Sequence, residues 1–140
     1  MEAANKGAYE DGGNSVGINI SLPQEQIFNK YLNKSENFHY FFIRKTILSM
    51  ASSVYIFFPG GYGTLDEFFE MITLLQTKKI SHFVTIIVVG KEYWQPLFDW
   101  FSNELFIKYK TISKEDLKLF KIVDTAEEAI KHIKSIKNIF

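Results

Sequence analysis

The stretch Pro59-Gly60-Gly61-Tyr62-Gly63-Thr64-Leu65-Asp66-Glu67 leaves this chain few ways to fold. An apolar run, Val54-Tyr55-Ile56-Phe57-Phe58, leads into it, and a helix-patterned run from Leu65 to Lys78 leads out. The run of 54–58 shows no polar alternation, so it reads as a strand buried on both faces, as in a parallel sheet. Three glycines in four positions let the backbone approach a ligand with no Cβ in the way. A strand, a glycine turn and a helix start in that order aim backbone N–H groups outward at the positive end of a helix dipole, where a phosphate binds well.

The remaining segments repeat the same alternation. Residues 1–9 read as a helix without an N-cap, ended by Gly12-Gly13. A helix that starts at residue 1 implies that elements upstream of it are missing. Val16 to Ile20 alternate as a short strand, stopped by Leu22-Pro23. Residues 24–37 are polar and read as loop. Phe38 to Phe42 fit either a short strand or the lead-in to the next helix. Ile43 to Ser52 read as that helix, with Ile43, Ile47 and Met50 on one face and Arg44, Lys45 and Leu48 nearer another. After the glycine turn, Leu65, Phe68, Phe69 and Ile72 form an apolar stripe. Phe83 to Val89 is a second buried strand, closed by Gly90. Tyr93 to Phe106 is a further helix, with Trp94, Leu97, Phe98, Phe101 and Leu105 at helical spacing. Ser113 and Asp116 mark a helix start, and Leu119 to Val123 a strand. Thr125 and Glu128 form a capping box ahead of a last helix lined by Ala129, Ile130, Ile133 and Ile136. Strands alternating with helices predict an α/β class, a Rossmann-like parallel sheet with helices on both faces, in a single domain over residues 1–140.

Composition narrows the chemistry. The 140 residues carry sixteen basic and sixteen acidic side chains, so no global charge supports a nucleic-acid or anionic-membrane partner. The chain has no cysteine, which removes disulfides, thiolate catalysis and Cys-type zinc sites. His39, His82 and His132 are scattered and form no HxxH pattern, so no metal is expected, and they read as surface or packing residues. The longest apolar runs are strand-length, which leaves no membrane span and makes a cytoplasmic protein the default. Fourteen Phe are mostly core, with an excess that suits a subunit interface. Trp94 and Trp100 read as core or interface.

Two readings stand for Glu67. With Thr64 it has S/T-x-x-E spacing, so it could be half of a capping box, and Asp66 in the first turn would suit the dipole. It could also face a sugar held beside the phosphate cradle, and the two roles are compatible. Arg44-Lys45 is either a solvated basic pair or a ligand group brought to the crevice of an open sheet. Tyr62 could stack on a base or shield the turn. Glu25 and Gln26 mean little as isolated loop residues. The turn lacks the lysine of a P-loop and is not GxGxxG, which weakens ATP and dinucleotide readings.

The motif at 59–67 resembles the PGGxGTxxE signature of the LONELY GUY family. Arg44-Lys45 resembles that family's Arg-Lys pair, at the expected distance upstream. The segments Met1-Glu2-Ala3-Ala4-Asn5-Lys6-Gly7-Ala8, Gly12-Gly13, Leu22-Pro23-Gln24-Glu25-Gln26 and residues 69–80 are similar to it as well, so the resemblance covers nearly the whole chain. In the family the sequence like Met1 to Ala4 follows a strand and a glycine-rich loop, so the resemblance implies that Met1 matches an internal methionine and that the chain is a fragment, a mis-called start or an N-terminally truncated relative. It further implies hydrolysis of the N-glycosidic bond of AMP or a cytokinin riboside 5′-monophosphate, giving free base and ribose 5-phosphate. Arg44 and Glu67 would be catalytic. Glu25, Lys45, Gly60, Gly61, Tyr62, Gly63 and Thr64 would bind substrate. No cofactor is implied, and a homo-oligomer is. A non-catalytic nucleotide or molybdenum-cofactor carrier of similar fold is the alternative. The family's older label, pyridoxal-dependent lysine decarboxylation, finds no convincing lysine environment for a Schiff base.

Overall fold

The computed structural model describes residues 1–21, 29–80 and 84–136. The chain divides into two compact units, Met1–Ala51 and Ser52–Phe140.

In the first unit, helix α1 (Glu2–Glu10) precedes strand β1 (Val16–Ile20), which pairs in parallel with β2 (Lys34–Phe38), and helix α2 (Phe41–Met50) follows. Gly12 ends the α1 turn in the left-handed region, at φ 73°. A chain of amides fastens α1 to the strands. Asn5 donates to the Ser15 hydroxyl at 3.0 Å, Asn29 donates to Asn5 at 2.9 Å, and the Ser15 N–H donates to the Asn33 side chain at 2.7 Å. Ser15 is buried, so these bonds offset the desolvation of its polar atoms.

One expectation changes here. Residues 34–37 are not loop but most of β2. Lys34-Ser35-Glu36-Asn37 has no apolar alternation to betray a strand, and the five-residue ladder to β1 holds it instead. Phe38 closes that strand, and α2 opens at Phe41, so the segment left undecided serves both elements in turn. Helix α2 also presents its apolar residues outward. Phe41, Phe42, Ile43, Ile47 and Met50 are exposed, whereas Arg44, Lys45 and Leu48 are half-buried and Ser49 is buried.

In the second unit, β3 (Val54–Phe57), β4 (Thr85–Val89) and β5 (Phe120–Val123) form a parallel sheet in the order β3-β4-β5. Helices α3 (Tyr62–Gln76), α4 (Lys91–Trp100) and α5 (Ala126–Ser135) connect and cover it. Strand β4 is central, and Ile86, Ile87 and Val88 are all buried. Ile86 and Val88 share one core with Phe57, with Phe68 and Met71 of α3, and with Trp94 and Phe98 of α4. Ile87 faces the other way, into a second core with Val123 and with Ala129 of α5. Side chains alternate across a strand, so one apolar run serves both layers, and helices lie on both faces as expected.

Strand β3 is not buried on both faces. Ile56 pairs with Ile87 in the register and so lies on the α5 face, yet it is 44% exposed. Helix α5 packs on β4 and β5 and leaves this edge uncovered. The helix expected over 93–106 is two windings. Helix α4 runs from Lys91 to Trp100, and a π-helical segment continues from Phe101 to Lys108. Its wider turn shows where the Tyr109 N–H donates to the Glu104 carbonyl, five residues back. Trp94 is fully buried, but Trp100 is half exposed. Ser113 and Asp116 do exchange bonds, N–H to carboxylate at 2.7 Å and N–H to hydroxyl at 3.2 Å, but they open only a single 3-10 turn, Asp116–Lys118. Burial pushes the Asp116 carboxyl up, and bonds from Ser113 and Gln76 outweigh it and hold it below the usual carboxylate range. Thr125 caps α5 as expected, its hydroxyl accepting from the Glu128 N–H at 3.2 Å, while the Glu128 carboxylate accepts from the N–H of Asp124, one residue before the cap, at 2.9 Å.

Candidate active site

The C-terminal ends of β3, β4 and β5 meet around the glycine turn, the place where open parallel sheets bind ligands. The turn itself is Phe58 to Gly61, and α3 begins at Tyr62 with Gly61 as its N-cap. The first bond of the helical ladder runs from the Leu65 N–H to the Gly61 carbonyl at 3.1 Å. The N–H groups of Tyr62, Gly63 and Thr64 therefore stand ahead of the ladder, at the positive end of the dipole.

This start displaces the capping-box reading of Thr64 and Glu67. Thr64 is the third residue inside the helix, no side chain caps α3, and its first turn holds no acid, so Asp66 does not act there on the dipole. The glycines at 60 and 61 let the chain turn into the helix three residues earlier than a threonine cap would. Glu67 sits one turn in and is half-buried. It lies three residues after Thr64 and four after Gly63, so all three share a helix face, and its Cβ tilts back toward the turn.

The glycines differ in what they permit. A Cβ on Gly60 would stand 2.8 Å from the Thr64 Cβ, so the fold itself requires glycine there. Cβ atoms on Gly61 and Gly63 would meet nothing within 4 Å, and neither backbone is left-handed. Local packing does not explain these two glycines. What their bareness preserves is a strip of open backbone beside the three N–H groups that stand ahead of the ladder, the kind of helix start at which anions bind. Tyr62 is 93% exposed, so its ring does not cover the turn.

The turn is braced from β4 and α4. Gly90, at φ 98°, lies against Pro59, whose Cγ would be 3.3 Å from a Cβ at that position. The Gly90 N–H donates to the Val123 carbonyl at 2.9 Å, and the Lys91 N–H donates to Asp124 at 2.7 Å, which ties the ends of β4 and β5 together. The Tyr93 hydroxyl donates to the Gly60 carbonyl at 2.5 Å. In the sequence Tyr93 is legible only as the first residue of a helix. The one available signal was its place three residues after a strand-closing glycine.

Gly60, Gly61, Tyr62, Gly63, Thr64 and Glu67 are thus gathered at one end of α3. Arg44 and Lys45 lie together on α2, in the first unit, both half-buried. Arg44 is not a solvated surface charge, since its Nε donates to the Ile18 carbonyl of β1 at 2.9 Å. That bond engages one of the several donors a guanidinium carries. Glu25, Gln26 and His82 fall outside the described residues. His39 is exposed, and burial with the nearby Lys121 charge lowers the pKa of His132. Among the described residues no group of three or more His, Asp or Glu could hold a metal ion, and no helix is long and apolar enough to cross a membrane.

Residues 1–133 match the sequence model of a family described as possible lysine decarboxylase. The chain is also similar to a rice protein (Oryza sativa subsp. japonica) named probable cytokinin riboside 5′-monophosphate phosphoribohydrolase LOGL5, with 34% identity over 80 residues, which is 56% of this chain and 32% of that protein. The matched stretch thus spans about a third of the length of that curated relative.

Proposed function

The chain belongs to the LONELY GUY family, described as possible lysine decarboxylase, and we propose that it is a nucleoside 5′-monophosphate phosphoribohydrolase. The substrate is AMP or a cytokinin riboside 5′-monophosphate, and the products are free base and ribose 5-phosphate. The observation that carries this reading is the bare backbone at Gly61 and Gly63, set beside three N–H groups that stand ahead of the ladder, with a carboxylate one turn further on. An anion-binding turn beside an acid fits a phosphorylated sugar better than a free amino acid.

In the proposed reaction the turn and the Thr64 hydroxyl hold the 5′-phosphate. The C1′–N bond breaks with its electron pair leaving on the base, and the sugar passes through an oxocarbenium-like state. Glu67 stabilises that positive charge, orients a ribose hydroxyl and accepts the proton of the attacking water. The water oxygen bonds to C1′, and a proton ends on the departing nitrogen. Arg44, charged at any working pH, binds the nucleotide or steadies the leaving base, with Lys45, Glu25 and Tyr62 as further contacts. No step draws on a cofactor.

The test is incubation with AMP and assay for adenine and ribose 5-phosphate. Arg44→Ala is expected to slow release about a hundredfold. Release at the parent rate would remove Arg44 from the reaction, and tight AMP binding without turnover in the parent would favour the carrier reading instead. Homo-oligomeric assembly belongs to the same proposal, supported by the outward apolar residues of α2. A monomer by light scattering at micromolar concentration would contradict it.

A further inference from the structure

We infer that Tyr93 is a positioning residue that selects for the 5′-phosphate, by fixing the plane of the Gly60–Gly61 peptide. The inference rests on the nucleotide reading above.

A peptide group is planar, and no described peptide bond in the chain is cis, so the Gly60 carbonyl and the Gly61 N–H point in opposite directions. The Tyr93 hydroxyl holds that carbonyl on the α4 side. The Gly61 N–H is thereby aimed away from α4, and the space beside Gly61 is open, since a Cβ there would meet nothing within 4 Å. Without the anchor this peptide would be among the easiest in the chain to rotate, because it joins two glycines, each permissive of either sign of φ. A rotated peptide would present a carbonyl oxygen where the N–H had been. Against a dianionic phosphate that replaces an attraction by a repulsion, whereas a nucleoside without phosphate would be indifferent to it. Tyr93 is well placed for the task. It stands at the start of α4, its ring packs edge-on against the buried Trp94 at 5.1 Å, and Gly90 lies beside the neighbouring Pro59. The same short segment therefore holds the turn at two successive residues, by packing at Pro59 and by a hydrogen bond at Gly60.

The test is Tyr93→Phe in the full chain, which removes one oxygen and keeps the ring. AMP, ribose 5-phosphate and adenosine binding are measured by calorimetry, and amide hydrogen exchange over residues 59–65 is followed without ligand. The expected result is about tenfold weaker AMP and ribose 5-phosphate binding, unchanged adenosine binding, faster exchange in the turn and a melting shift of no more than about 3 °C. Unchanged AMP binding overturns the inference and leaves the reading of the site intact. Equal losses for AMP and adenosine overturn it in favour of a purely structural role. A parent protein that binds neither AMP nor ribose 5-phosphate overturns the nucleotide reading itself, and the inference with it.

Discussion

Glu67→Gln is expected to slow release of adenine from AMP by about a thousandfold while leaving AMP binding within a few-fold of the parent. The substitution keeps the volume and the hydrogen-bonding reach of the side chain and removes its charge. If Glu67 only occupied a helix surface, an amide would serve as well. If it faces developing positive charge at C1′, the amide offers a dipole in place of an anion and cannot take a proton from water. The loss then falls on the chemical step rather than on the complex, since in the proposed site the phosphate is held by backbone groups that the change does not touch. Single-turnover release of adenine at saturating AMP, with binding measured separately, distinguishes the two. A Glu67→Gln variant that releases base at the parent rate would end the assignment of Glu67, whatever became of the rest of the site.

The second large effect concerns stability. Phe68 has no exposed surface, and its ring lies within 6.0 Å of those of Phe57, Phe69, Trp94, Phe98 and Phe120. It touches α3, β3, α4 and β5 at once, so the space it fills cannot be closed by moving any single neighbour. Phe68→Ala is expected to cost about 3–5 kcal/mol, from lost transfer energy and the cavity left behind. Small proteins have only about 5–15 kcal/mol in total, so the variant should melt far earlier. Phe69, its neighbour in sequence, is 41% exposed, and its truncation should cost far less. Urea denaturation of the two variants gives the comparison. A Phe68→Ala cost below about 1 kcal/mol would mean that the core described around β4 is wrong.

What could be read from the sequence followed from how strongly each residue type constrains its surroundings. The run of apolar residues at 84–89 admits only a doubly buried strand, and β4 is that strand. Thr125 and Glu128 have no competing turn before them, so the Thr125 cap survives. Thr64 and Glu67 have the same spacing, but Gly60 and Gly61 free the backbone to turn sooner, and the helix begins at Tyr62. Spacing alone cannot rank a threonine cap against a glycine turn. Strand β2 was hidden for the opposite reason, since Lys34 to Asn37 gain their order from a backbone ladder that no side-chain pattern records. The two faces of α2 were legible but not which one turns inward, and Arg44 does so where β1 offers it a carbonyl. The tie from Tyr93 to the glycine turn was invisible, because its hydroxyl meets a carbonyl thirty-three positions earlier in the chain.

The order β3-β4-β5 also bears on how the second unit comes together. Each strand pairs with the one synthesised just before it, so none has to be threaded between two that are already joined. Every new strand and its helix can dock on a finished edge, which keeps the loops to be closed short and spares the chain a search for distant partners. Growth of this kind ends with α5 laid over Ile87 and Val123, a lid placed after the layer beneath it is complete.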